Sequence, residues 1–225
     1  MIIYGKQLFL YALEKHSTNI KHLYLSKDID KKLFDKVRKL GITFERVDEK
    51  KAQGLAKGGN HQGFIFEYED IPFAEFKEFK DKNLLVVLVG VTDVGNIGSI
   101  VRSCYSLGVD GIILSGIKSI PLDSVTRSSS GALFDMPIAI YENTLDLINE
   151  LKHKNFNLFA AVANGENKIK KDGKMVLFLG SEGDGIPSKI LNKIENRTTI
   201  KMARDFNSLN VAVACAILID RIQNG

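Results

Sequence analysis

The sequence predicts an α/β protein: a small α/β unit followed by a larger domain built on a doubly wound, mostly parallel sheet. Three observations carry this. From residue 84 onward, runs such as "LLVVLVG" (84–90) and "KMVLFLG" (174–180) are continuously apolar, as strands read when a parallel sheet is covered on both faces. Stretches of helical spacing alternate with these runs, which implies a doubly wound domain. Several runs end in glycine-rich loops, and ligands of such sheets bind beyond the carboxyl ends of the strands.

The first 70 residues alternate in the same manner on a smaller scale. Helical spacing at 5–15 precedes the strand "HLYLS", and a helix at 30–40 leads through Gly41 to "ITFERV". A further helical stretch, "EKKAQGLAK", runs into "GGNHQGFIFEYE", where Gly58, Gly59 and Gly63 flank a turn and Phe64–Tyr68 alternate as a strand. Residues 71–83, charged and carrying Phe73, Phe76 and Phe79, read as a linker with a short helical turn. The organisation expected is therefore 1–70, a linker at 71–83, and 84–225.

In the second domain the strand at 84 is followed by a helix at 96–107, the strand "GIILS" and a helix near 122–130. The strand "PIAIY", a helix at 143–153 and the strands "NLFAAV" and "KMVLFLG" come next. A helix at 187–193, the strand "RTTIKM" and a final helix from about 208 complete the chain, with Ser208 as the expected N-cap.

Composition narrows the function classes. The chain has 225 residues, 44% apolar and 26% charged, enough for a sizeable core. No stretch reaches the 18 or so apolar residues of a membrane span, and "MIIYGKQLFLYALEK" lacks the pattern of a secretory leader. Cys104 and Cys215 are far apart in sequence and sit among apolar residues, so they read as reduced core thiols of a cytoplasmic protein. His16, His22, His61 and His153 are scattered without metal-ligand spacing, and no metal is expected. Residues 1–70 carry 13 Lys+Arg against 10 Asp+Glu, the remainder 18 against 17, so the small excess of positive charge lies mainly in the first unit. Lys31, Lys32, Lys36, Arg38 and Lys39 fall on one helix; from charge alone they read as a solvated face.

Three loops stand out. In "VGVTDVGNIGSIVRS" (89–103), Gly95 and Gly98 bracket Asn96, and Arg102 follows one turn into the helix. A glycine-rich turn at a helix N-terminus offers free N–H groups to an anion, but neither G-x-x-x-x-G-K-[ST] nor G-x-G-x-x-G spacing is present. The apolar stripe of this helix falls to Ile97, Ile100, Val101 and Cys104, which leaves Arg102 on another face. In "VLFLGSEGDGIP" (176–187), three glycines surround Glu182 and Asp184 at the mouth of a buried strand; a tight turn explains the glycines but not Glu182. In "IKMARDFNSLNVAVACAILID" (200–220), Asn210 is the only polar side chain from Leu209 to Ile219, and a helix apolar all round must be covered on every side. At the end of a chain, a second subunit is a natural cover.

Taken together and in this order, "NIGSIVR", "LGSEGDGIP" and "IKMARDFNSLNVAVA" resemble the three motifs of the SpoU/TrmH family of SPOUT RNA methyltransferases. The resemblance spans roughly residues 84–222. Residues 1–70 also resemble the small RNA-binding domain that precedes the catalytic domain in ribosomal-RNA members, with "IIYGKQLFLYALE" as its opening and "HQGFIFEYE" as its close. The resemblance implies a SPOUT-type sheet with a C-terminal trefoil knot, S-adenosylmethionine as methyl donor, a homodimer, and 2′-O-ribose methylation of RNA. It points first to a guanosine of large-subunit ribosomal RNA and next to tRNA.

Carried over by position, the resemblance implies Gly180, Ile200 and Leu209 as the donor slot, with Met202 lining the same slot, and Asn96, Arg102, Glu182, Ser208 and Asn210 as the catalytic set. In this reading Arg102 grips the phosphate beside the target ribose and steadies the forming oxyanion, because a guanidinium does not readily give up its proton. Glu182 orients neighbouring groups. The third motif departs from the family pattern at Lys201, where proline is usual, and at Arg204 and Ala212. Two rivals stay open: a non-catalytic RNA-binding member of the same fold, and a Rossmann-type nucleotide enzyme, whose fingerprint "VTDVGNIGS" does not meet.

Overall fold

The computed structural model describes residues 1–204 and 208–225. The chain forms two compact units, Met1–Pro72 with Pro121–Phe134, and Phe73–Ile120 with Asp135–Gly225.

The first unit opens with strand β1 (Ile2–Tyr4), helix α1 (Lys6–Lys15) and strand β2 (Ile20–Leu25). Helix α2 (Lys31–Lys39), strand β3 (Thr43–Arg46), helix α3 (Glu49–Leu55) and strand β4 (Phe64–Tyr68) follow. The sheet order is β1-β4-β2-β3, with β2 parallel to β3 and antiparallel to β4. Strand alternation splits the side chains between two faces. Leu23, Leu25, Phe64 and Phe66 join Phe9, Leu13 and Val37 in the main core, while Ile65 packs with Ala52 of α3 and Ala56 at its C-terminal cap. Both α2 and α3 start on an aspartate: Asp30 accepts from the Leu33 N–H at 2.9 Å and Asp48 from the Lys51 N–H at 2.7 Å. Strand β1 has no counterpart in the sequence reading, since three residues before a helix show no period.

The second unit begins earlier than the sequence reading places it. Residues 73–83, expected as a linker, contain a 3₁₀ turn at Phe76–Phe79, and Phe79 is fully buried in the core. A Cβ at Gly111 would lie 2.2 Å from the Phe79 ring, so the glycine makes room for it. Strand β5 (Leu84–Val89), helix α4 (Val94–Ser106) and strand β6 (Gly111–Ser115) come next. Helix α5 (Leu122–Ser128), read from sequence as part of the second domain, belongs instead to the first unit, where Arg127 lies over the Tyr4 ring at 4.5 Å. Back in the second unit are β7 (Ile138–Tyr141), α6 (Thr144–His153), β8 (Phe156–Glu166) and β9 (Lys174–Gly180). Helix α7 (Ser188–Leu191), strand β10 (Asn196–Thr198) and helix α8 (Val211–Asn224) end the chain.

All pairings in this sheet are parallel, in the order β10-β8-β9-β5-β6-β7. The chain walks from β5 to β7 in one direction and then returns to the other side, so the order reverses between β5 and β9. The expected strand "RTTIKM" is cut to Asn196–Thr198. Beyond it the Thr199 hydroxyl donates to the Ala163 carbonyl at 2.9 Å, and the Lys201 N–H donates to the Asn167 side chain at 3.4 Å, so the chain leaves the ladder.

Helix α8 packs against α4. Cys104 and Cys215, distant in sequence, meet there with their sulfurs 3.9 Å apart as free, fully buried thiols. The Cys215 contact and burial push the Cys104 thiol well up, which keeps it protonated and slow to react. The expected all-round burial of α8 is not met within the chain: Cys215, Leu218, Ile219 and Ile222 are buried, but Val213 is 47% exposed.

Candidate active site

Because β5 and β9 are adjacent and parallel, with Val89 opposite Gly180, the loops that leave their carboxyl ends emerge side by side. This is the crevice where ligands of open α/β sheets bind. Its edge is bare main chain. Strands β5, β6 and β9 are followed by or end in Gly90, Gly116 and Gly180; a Cβ on Gly90 would meet nothing within 4 Å, and one on Gly116 would lie 3.8 Å from the Gly90 nitrogen. Sequence reasoning named only Gly180 of these three. The signal for the others was the same, a glycine directly after an apolar strand.

Gly180 has a different reason from the close approach of a ligand. A Cβ there would lie 2.1 Å from the Gly185 carbonyl carbon and 2.3 Å from the Ile186 nitrogen. The loop folds back on the strand end, bridging Ser181 to Gly185, and Gly183 and Gly185 take φ of 93° and 65°. Glycine is required at all three positions for that fold-back, which lifts Glu182 out of the strand end into the open.

Helix α4 brings the second piece. Asp93 caps it, its carboxylate accepting from the Asn96 N–H at 2.7 Å, so Asn96 sits in the first turn after the loop that leaves β5. Asp93 is a site-shaping residue that the sequence reading passed over; an aspartate ahead of an apolar helical stripe was the signal. The third piece is the start of α8. The expected cap Ser208 is exposed and lies outside the helix. The cap is Asn210, whose Oδ1 accepts from the N–H groups of Ala212 and Val213 at 2.9 and 3.4 Å.

The three pieces converge on Glu182. Asn210 Nδ2 donates to Glu182 Oε1 at 2.7 Å and to Asn96 Oδ1 at 2.8 Å, and Asn96 Nδ2 donates to the same Glu182 oxygen at 3.3 Å. Capping fixes the geometry: with Oδ1 of Asn210 turned to the helix N–H groups, its Nδ2 must face the carboxylate. Three of the five expected catalytic residues thus form one hydrogen-bonded cluster, on residues 86 and 28 positions apart from Glu182. The groups that Glu182 holds are two side-chain amides, those of Asn96 and Asn210. Arg102 lies six residues further along α4 on an exposed face, with Ser99 and Ser106 also exposed; Ile97, Ile100, Val101 and Cys104 are fully buried as expected. Asp184 is exposed.

Of the expected donor slot, Ile200 and Met202 stand in the irregular segment after β10 and Leu209 just before the α8 cap, all three half-buried. Asp205, Phe206 and Asn207 of the third motif lie outside the described residues. By residue type, half-buried apolar side chains suit the faces of a flat heterocycle and bare glycine main chain suits its nitrogens.

A parallel α/β domain with a polar cluster where the strand order reverses belongs to the class of enzymes that work at the carboxyl edge of the sheet. Comparison with known proteins specifies the class further. The model of the SpoU rRNA Methylase family matches residues 83–220, and the model described as RNA 2′-O ribose methyltransferase substrate binding matches residues 2–74. The chain belongs to the SpoU rRNA methylase family. A protein of Staphylococcus aureus (strain COL), named for the TrmH family of tRNA/rRNA methyltransferases, is 33% identical over 189 residues, 79% of this chain and 76% of that one. The 23S rRNA (guanosine-2′-O-)-methyltransferase RlmB of Vibrio cholerae is 26% identical over 97% of this chain and 94% of its own length. The crystal structure of an AdoMet-bound rRNA methyltransferase from Sinorhizobium meliloti superposes with a TM-score of 0.78 at 26% identity, covering 98% of this chain and 85% of that one.

Proposed function

We propose that this chain transfers a methyl group from S-adenosylmethionine to the ribose 2′-oxygen of RNA, and that its target is a guanosine of large-subunit ribosomal RNA. The observation that carries the reading is the Asn96–Glu182–Asn210 cluster beside the bare glycine edge. Family membership and the RlmB relative, similar over nearly the whole chain, support the ribosomal target. The Staphylococcus aureus relative, whose name covers tRNA as well, keeps tRNA as the second reading.

The donor's sulfonium supplies an activated methyl group, and the protein's task is in-line alignment, which can lower such a barrier by roughly 7–11 kcal/mol at best. Ile200, Met202 and Leu209, with the main chain at Gly180, would hold the donor. Asn96, Glu182 and Asn210 form a rigid rail against which Ser208 and Arg102 set the acceptor ribose. Arg102 grips the neighbouring phosphate and steadies the developing negative charge. Lysine cannot reproduce that planar fork, so Arg102→Lys is expected to slow single-turnover methylation by about 10²–10³-fold. Retention of near-wild-type turnover would remove Arg102 from this role. Mapping 2′-O-methyl sites in ribosomal RNA and tRNA from cells lacking the protein decides between the two targets.

The working form in this reading is a cytoplasmic homodimer. The exposed Val213, with half-buried Ala216 and Ile217 beside it on α8, offers an apolar stripe for a second copy. The reading also includes the knotted tail. It is supported by Asn167, after β8, whose Oδ1 takes hydrogen bonds from both Lys201 and Arg221 and so pins the tail on either side of its last loop. Residues 1–70 bind the RNA outside the reacting nucleotide.

A further inference from the structure

We propose that the α2–β3 edge of the first unit is a stacking platform for unpaired RNA, on which Phe44 and Phe34 receive a base while Lys31 and Arg38 hold the phosphates on either side. The proposal deepens the reading above and rests on it. From sequence the basic helix is an ordinary solvated face; the structure sets two aromatic rings beside it. Strand β3 is the free edge of its sheet, and all four of its residues are exposed. Register fixes which way they point. Phe44 stands opposite the buried Leu23, on the face that α2 covers, whereas Thr43 and Glu45 turn to the other face. Phe44 is 36% exposed, and its ring meets that of half-buried Phe34 edge-on, with centroids 5.1 Å apart at 75°.

On α2, Lys31, Phe34 and Arg38 stand at i, i+3 and i+7, so they form one stripe along the helix with the aromatic between the two cations. The surrounding charge favours a polyanion. Helix α2 carries Lys31, Lys32, Lys36, Arg38 and Lys39 against Asp35 alone. The nearby acids are already engaged: Asp28 with Arg46, Glu45 with Lys51, and Asp30 with the helix N-terminus. Accessible aromatic surface interleaved with cations is the composition that binds single strands, because every base has a face to stack and every phosphate a charge to meet. A duplex hides its base faces and would use only the charges.

The test is fluorescence anisotropy of the full chain with a labelled, unstructured single-stranded RNA oligonucleotide, titrated at several salt concentrations, with the same sequence as a duplex for competitor. Phe44→Ile keeps an apolar β-branched residue on the strand but removes the ring, and is expected to weaken single-strand binding about tenfold; Phe44→Tyr is expected to bind as wild type. The double variant Lys31→Gln/Arg38→Gln, exposed at both positions, is expected to lower the slope of log affinity against log salt by about 1.4, two phosphate contacts' worth. Unchanged affinity of Phe44→Ile, an unchanged salt slope, or a duplex that competes as well as the single strand overturns the platform. Should Phe44→Ile fail to fold, the salt slope of the double variant decides. A wild-type chain that binds neither RNA form contradicts the RNA reading itself, a result separate from binding that is indifferent to this edge.

Discussion

The side chain of Asn210 closes the N-terminus of α8 with its oxygen and reaches Glu182 and Asn96 with its nitrogen, so one amide ties the last helix to the site. Asn210→Asp separates the two duties. Aspartate caps as well as asparagine, but it sets a second carboxylate against Glu182 in place of a donor. The helix is expected to survive, by circular dichroism, while methylation falls by about 10²-fold. A second residue-scale prediction concerns Tyr24 on β2. Its phenol donates to Glu67 at 2.5 Å, and that hydrogen bond, with lesser help from burial and neighbouring acids, pushes its pKa up to about 12. The folded value lies above the unfolded one of about 10, so the contribution is complete below pH ~10 and is lost as pH rises through about 12. The stability gap between wild type and Tyr24→Phe, measured by denaturant melts across that window, is expected to narrow as pH rises.

Among elements, α4 shows how a cap can position chemistry. Asp93 satisfies the Asn96 N–H and so sets the height at which the Asn96 side chain meets Glu182. Asp93→Ala is expected to cost about 1 kcal/mol in a denaturant melt and to lower kcat more than it raises KM, and Asp93→Ser to restore most of both. Elements of this length were legible before the fold, because an apolar stripe or a continuous apolar run reports its own period. The exceptions have local causes. Strand β1 is too short to have a period, β10 is curtailed by side-chain bonds from Thr199 and Asn167, and the α8 cap moves from Ser208 to Asn210, both of them good caps on local grounds.

On the scale of the whole molecule, the first unit is built from two stretches of chain. Phe134, far along the sequence, packs against the Tyr68 and Tyr11 rings at 4.5 and 6.2 Å, and Arg127 covers Tyr4. Phe134→Ala is therefore expected to destabilise residues 1–72 by about 1–3 kcal/mol, read as faster hydrogen exchange in β1, β4 and α1. The outcome that would contradict this is exchange changed only in residues 135–225.

By itself the sequence determined the α/β class, most strands and helices, the three glycine-bounded loops and the residue types able to do the chemistry, since these depend on composition and local period. Only the tertiary structure decided that Asn96, Glu182 and Asn210 share one cluster, that Cys104 touches Cys215, that residues 121–134 complete the first unit, and that Phe44 stands beside the cations of α2. Each of those facts depends on which strands are neighbours and in what register, and pairing between distant segments leaves no period in either segment to read.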